Sequence, residues 1–179
     1  MKKLLCVLLT LMLLMCSVTA LAKTTSEAIE APEDDAVVFT ISDEATTVEF
    51  TWADITGAGT YELTKNEYPA KVDGAQTMVA WEGILLRDLI TTAVEKGVIL
   101  PEDALLEAIS VDGFAVSFTL AEAMEEENLF LVAADPVKNY DGDTVYENSF
   151  VRILRNADAA NQANIRCVIG LKLAIAAAE

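Results

Sequence analysis

Trp81-Glu82-Gly83-Ile84-Leu85-Leu86-Arg87-Asp88-Leu89-Ile90 opens the most strongly patterned stretch of the chain. The apolar pairs Leu85/Leu86, Leu89/Ile90 and Ala93/Val94 recur every four residues, which predicts a helix over Ile84–Lys96 with one apolar face. Gly97 follows where a left-handed C-terminal cap is expected. Such a face must be covered, and the flanking segments offer strands to cover it. Upstream, Val37–Ser42 and Thr47–Trp52 are short β-branched and aromatic runs around a turn at Asp43-Glu44. Downstream, Ala108–Val111 and Phe114–Phe118 flank Asp112-Gly113, a two-residue hairpin signal.

Further along, Thr119 and Glu122 have the spacing of a capping box, predicting a short helix that runs into Glu125-Glu126-Glu127. Leu129–Ala134 reads as a buried strand, Asp135–Asp143 as a loop, and Phe150–Leu154 and Ile165–Leu173 as two more strands. Strands grouped in pairs, with one long helix among them, predict an α+β fold with a few short helices.

The 179 residues include 12 basic and 29 acidic side chains, a formal net charge of −17. That charge repels nucleic acid and anionic membrane surfaces. The chain has no histidine, which removes the usual general base, the Ser-His-Asp and Cys-His arrangements, and the commonest metal ligand. Lys2-Lys3, the apolar run Leu4–Met15 and Ala20-Leu21-Ala22 have the three parts of a secretory signal peptide. The expected organisation is a signal peptide over 1–22, a flexible stalk over 23–36 and one domain over 37–179, with no membrane span after cleavage near Ala22. Cys16 is preceded by the bulky Met15, a poor fit to lipidation. The expected location is extracytoplasmic, in the periplasm or outside the cell. Cleavage leaves 10 basic against 29 acidic residues, a net charge of −19, and Cys167 as the one cysteine, so no intrachain disulfide can form.

Three constellations could carry chemistry. Asp135, Asn139, Asp141, Asp143 and Glu147 offer hard oxygen ligands for calcium, but the glycine and the terminal glutamate of an EF-hand loop are misplaced. Cys167 sits in an apolar run with Arg166 expected on the opposite face, the setting of a buried, inert thiol. Arg152, Arg155, Arg166 and Lys172 stand against Asp158 alone between Phe150 and Leu173, a local net charge of +3. With Asn156, Asn161, Gln162 and Asn164 they could cradle a phosphate or another small anion. The alternative is that nearby acids satisfy them.

Several segments, in order, resemble the molybdopterin-binding domain of the sulfite oxidase family. They are Phe39-Thr40-Ile41 through Thr47–Ile55, Trp81–Ile90, Val111-Asp112-Gly113-Phe114 with Phe118–Ala123, Leu131–Ala134 with Asp141-Gly142, and Phe150-Val151-Arg152-Ile153-Leu154. Arg166 stands where a lysine often precedes the last strand of that family. The resemblance implies packed mixed sheets whose loops hold a molybdopterin, with Arg152 and Arg166 approaching its phosphate. Departures are equally specific. The family's molybdenum-ligating cysteine has no counterpart in Asn66–Gly74, Cys167 is in the wrong strand, and Glu147-Asn148-Ser149 replaces a Gly-Gly-Pro turn. The family's cofactor-contacting histidines are absent as well. The expectation is a secreted, oxidoreductase-like domain that has lost catalysis and serves as an extracytoplasmic binding module, with no assigned catalytic residue or metal ligand. The alternative expectation is an active molybdopterin-dependent oxidoreductase whose metal is held by the cofactor alone.

Overall fold

The computed structural model describes residues 27–141, 144–156 and 164–174. The expected signal peptide, with Cys6 and Cys16, lies outside them, as do Asp143, Asp158, Asn161 and Gln162. The chain begins with β1 (Val37–Ser42) and β2 (Thr47–Thr51), followed by a one-turn helix α1 (Trp52–Ile55). A long hairpin of β3 (Thr64–Val72) and β4 (Ala75–Leu85) leads directly into α2 (Leu86–Glu95). Next come β5 (Leu105–Ser110), β6 (Ala115–Thr119) and α3 (Leu120–Met124). A second long hairpin, β7 (Leu131–Asp141) and β8 (Thr144–Leu154), precedes β9 (Asn164–Ile165) and β10 (Val168–Ala174).

Among the described residues these strands form two five-stranded sheets. The first has the order β2-β1-β10-β5-β6, antiparallel throughout except for the parallel pair β1–β10. The second has the order β3-β4-β7-β8-β9 and is antiparallel throughout. Phe39, Ile41 and Phe50 from the first sheet share the main core with Ile84, Val132, Val151 and Ile153 from the second. Leu86, Leu89, Ile90 and Ala93 of α2 join them, so the apolar face expected from the sequence is the buried face. Leu131, Ala133 and Leu154, the alternate residues of β7 and β8, form a separate cluster with Tyr68. Period-two alternation therefore buries both faces of the second sheet where Leu131–Ala133 pairs with Arg152–Leu154.

The helix starts two residues later than the sequence pattern suggests. Ile84 and Leu85 stay in β4, opposite Val132 and Leu131, and Leu86 N donates to Phe130 O at 2.8 Å. Helix-like spacing thus continued through two residues whose backbone the sheet had claimed. Gly97 does take a positive φ of 102°. Both short helices carry complete capping boxes, Thr51/Asp54 on α1 and Thr119/Glu122 on α3. Asp43 closes the first turn by accepting from the backbone N–H groups of Ala45, Thr46 and Ile99 at 2.7, 2.6 and 2.6 Å. These bonds, Ile99 first, hold its carboxyl below the ordinary range.

Two expectations are corrected. Asp135–Asp143 is not a loop as far as it is described: β7 runs on to Asp141, because its polar residues pair with the equally long β8. Ile165–Leu173 is not one strand, since the chain leaves the second sheet after β9 and enters the first at β10. The change of sheet occurs at Arg166-Cys167, where Cys167 adopts a left-handed φ of 57°. The described part of the 23–36 stretch bonds to the domain that follows it. Ala28 pairs with Val137, and the carbonyls of Asp34 and Ala36 accept from Ala53 N and Trp52 N, both at 2.9 Å.

Gly83 permits the join of β4 to β7, since a Cβ there would lie 2.6 Å from Val132 O and 3.1 Å from Ala133 Cα. Both are backbone atoms and cannot rotate away. Gly83→Ala is expected to cost about 1–3 kcal/mol, the usual range for overpacking. Urea unfolding should show this as a lower midpoint with an unchanged slope.

Candidate functional site

Alternation along β8 turns Val151 and Ile153 into the main core and leaves Arg152 between them to reach the other side of the sheet. There each of its three nitrogens donates a hydrogen bond. Nε and Nη2 donate to Asp135 Oδ2 at 2.9 and 2.5 Å, and Nη1 donates to Asn164 Oδ1 at 3.1 Å. The flat face of the group lies 4.6 Å from the centroid of the Trp81 ring. Asn164 in turn donates from Nδ2 to Pro69 O at 2.7 Å. Asp135 belongs to β7, Trp81 to β4, Asn164 to β9 and Pro69 to β3, so one cation and one amide connect all five strands of the second sheet. Because β3 and β9 are the outer strands of that sheet, the Asn164–Pro69 bond means that it curls until its margins meet.

The ion pair is buried, with Arg152 and Asp135 side chains 12% and 13% exposed. Burial draws the arginine below its ordinary pKa, and Asp135 opposes that shift by charge and by hydrogen bonding. Arg166 also disfavours the charge on Arg152, which places the two expected anion-contacting residues near one another. Arg166 lies on the bend between the sheets, where its carbonyl accepts from Ser110 Oγ at 2.7 Å. Two donors here are buried without a partner, Arg166 Nε and Trp81 Nε1.

The expected basic segment does not form one patch. Arg152 faces Asp135, Arg155 adds its charge to the Thr119 hydrogen bonds that lower the Glu122 carboxyl, and Lys172 lines an open cleft with Asp43, Glu44 and Glu107. Two sheets and the alternation of their strands distribute these cations among nearby acids. Cys167 is 2% exposed, and burial pushes its thiol up against smaller opposing influences from Ser149 and Arg166. Burial and a raised pKa both make for an inert thiol, although Arg166 does not sit across a strand from it as expected. Glu147 of the expected acidic loop instead pairs with Lys138 at 3.6 Å. Among the described residues no three of His, Cys, Asp and Glu are grouped as metal ligands. Sequence reasoning missed Asp135, Asn164 and Trp81 as partners of Arg152. A usable signal was Asp73-Gly74, the turn of the hairpin that places Trp81.

Arg152→Met is expected to destabilise the protein by about 3–5 kcal/mol, because it strands the Asp135 carboxylate in a desolvated place. Adding Asp135→Leu should recover part of that loss. A double-mutant cycle by urea unfolding, including each single variant, measures the coupling.

No family model matches the chain, and no curated protein matches it in sequence. Among solved structures it is similar to the sulfane dehydrogenase SoxCD from Paracoccus pantotrophus, at 17% identity and a TM-score of 0.52. The match covers 82% of this chain and 40% of the SoxCD chain, so the protein spans less than half the length of that relative in fold. The likeness is one of fold alone: two β-sheets, one of them mixed, with a few short helices, as in part of that chain.

Proposed function

We propose that the protein is a secreted, extracytoplasmic binding module built on the molybdopterin-binding fold of the sulfite oxidase family, without that fold's redox chemistry. Its ligand is a small anion held at Arg166. The observation that carries this reading is the contrast between two arginines. Arg152 spends its donors on Asp135 and Asn164, whereas Arg166 retains a buried, unpartnered Nε. An unpaired buried donor is costly, and an oxyanion accepting from it would relieve the cost.

The residues present do not fit a molybdenum centre bound through the protein. The hairpin segment Asn66–Gly74, where the family resemblance would put a thiolate, has none, and the Cys167 thiol is buried with a raised pKa. A soft thiolate tunes such a metal, and no described group of side chains replaces it. Nor does Arg152 fit the phosphate, since a carboxylate already occupies its fork.

A second reading is supported by the fold likeness to a sulfane dehydrogenase. In it molybdopterin is bound with its metal held by the cofactor alone, and Arg166 contributes to holding the phosphate. The cofactor would supply oxygen-atom or electron transfer.

Metal and pterin analysis of protein purified from its native host separates the two readings. The first expects folded protein with no stoichiometric molybdenum or pterin, and stoichiometric loading would overturn it. Calorimetric titration with inorganic phosphate and with sulfate tests the anion site. Binding is expected in the unmodified chain, weakened at least tenfold in Arg166→Gln and retained in Arg155→Gln.

A further inference from the structure

β4 accompanies β7 for only two residue pairs, Ile84 with Val132 and Leu85 with Leu131. The strand β7 then continues to Asp141 with β8 on one side. On the side that β4 has left lies the segment Glu27-Ala28-Ile29, with Ala28 opposite Val137. Ile29 N donates to Pro136 O at 3.1 Å, and Lys138 N donates to Glu27 O at 2.8 Å. Lys138 Nζ also meets Glu27 Oε2 at 3.4 Å and Glu147 Oε1 at 3.6 Å. Val137 is buried at this place. The segment is therefore an antiparallel strand fragment, read by two backbone bonds and one charge.

We infer that the outer edge of β7 from Pro136 to Lys138 is a strand-acceptor site for an extended acidic-apolar segment, occupied in cis by Glu27–Ile29. The same segment of a second copy of this chain is the occupant it would take in exchange. An open strand edge is a pairing template, and exchange of an identical element between copies reproduces every bond made in cis. The cis strap rests on few bonds and an exposed Glu27, so it yields before the sheets do. Lys138 gives the site its preference, because the register sets Glu27 opposite Lys138 and Ile29 opposite Pro136 on one face.

The test uses a fluorescein-labelled peptide of residues 23–32 and anisotropy titration against three chains. These are the mature chain from Lys23, a chain starting at Pro32, and the mature chain carrying Ile29→Pro, which removes the Ile29 donor without shortening the protein. The peptide is expected to bind the shortened and Ile29→Pro chains at least tenfold more tightly than the mature chain, whose own strap competes. Lys138→Glu in the Ile29→Pro background should abolish binding, and a peptide with Glu27→Lys should restore it. Equal affinity for all three chains, or no binding to a folded Ile29→Pro chain, would overturn the inference. So would Lys138→Glu binding the original peptide unchanged.

Discussion

Arg152 is carried out of water on a central strand, and its charge has to be answered within a few ångströms. Asp135 supplies the countercharge, Asn164 an oxygen and Trp81 a π-face, each from a different strand. The partners are worth more together than apart, since removing any one leaves a desolvated polar group behind. Geometry follows from that demand. β9 is two residues long and, among the described residues, pairs with β8 alone, yet Asn164 reaches Pro69 on the far margin of the sheet. Curling of the second sheet over Tyr68, Leu131, Ala133 and Leu154 is thus tied to a single guanidinium.

The same tie limits what the site can do. A guanidinium that clasps a carboxylate in its fork cannot offer that fork to a phosphate without first giving up its partner. The nearby Arg166 escapes this because the chain bends there between sheets, where no neighbouring strand presents an acceptor to its Nε. Structural and ligand-directed roles are in this way divided between two arginines that look equivalent in the sequence.

Much of the fold is written locally. The β1–β2 hairpin, the Asp112-Gly113 hairpin, both capping boxes and the buried face of α2 depend on residues within a few positions of one another. What was hidden depends on distant partners. Asp135–Asp141 reads as a loop because its residues are polar, and it becomes a strand because β8 lies beside it. Ile165–Leu173 reads as one strand because nothing in an apolar run marks a transfer between sheets, although Gly170 packs against Thr40 where β10 meets β1. The pairing of Arg152 with Asp135 spans a bulge in the β7–β8 register and could not be found from spacing alone.

Parallel pairing of β1 with β10 places Thr40 beside Gly170, about 130 residues apart, at the centre of the first sheet. The intervening chain must be closed into a loop before the contact of β1 with β10 gives anything back. Until β10 has docked, β1 and β2 are a hairpin with one open edge, a template that the parallel partner alone completes.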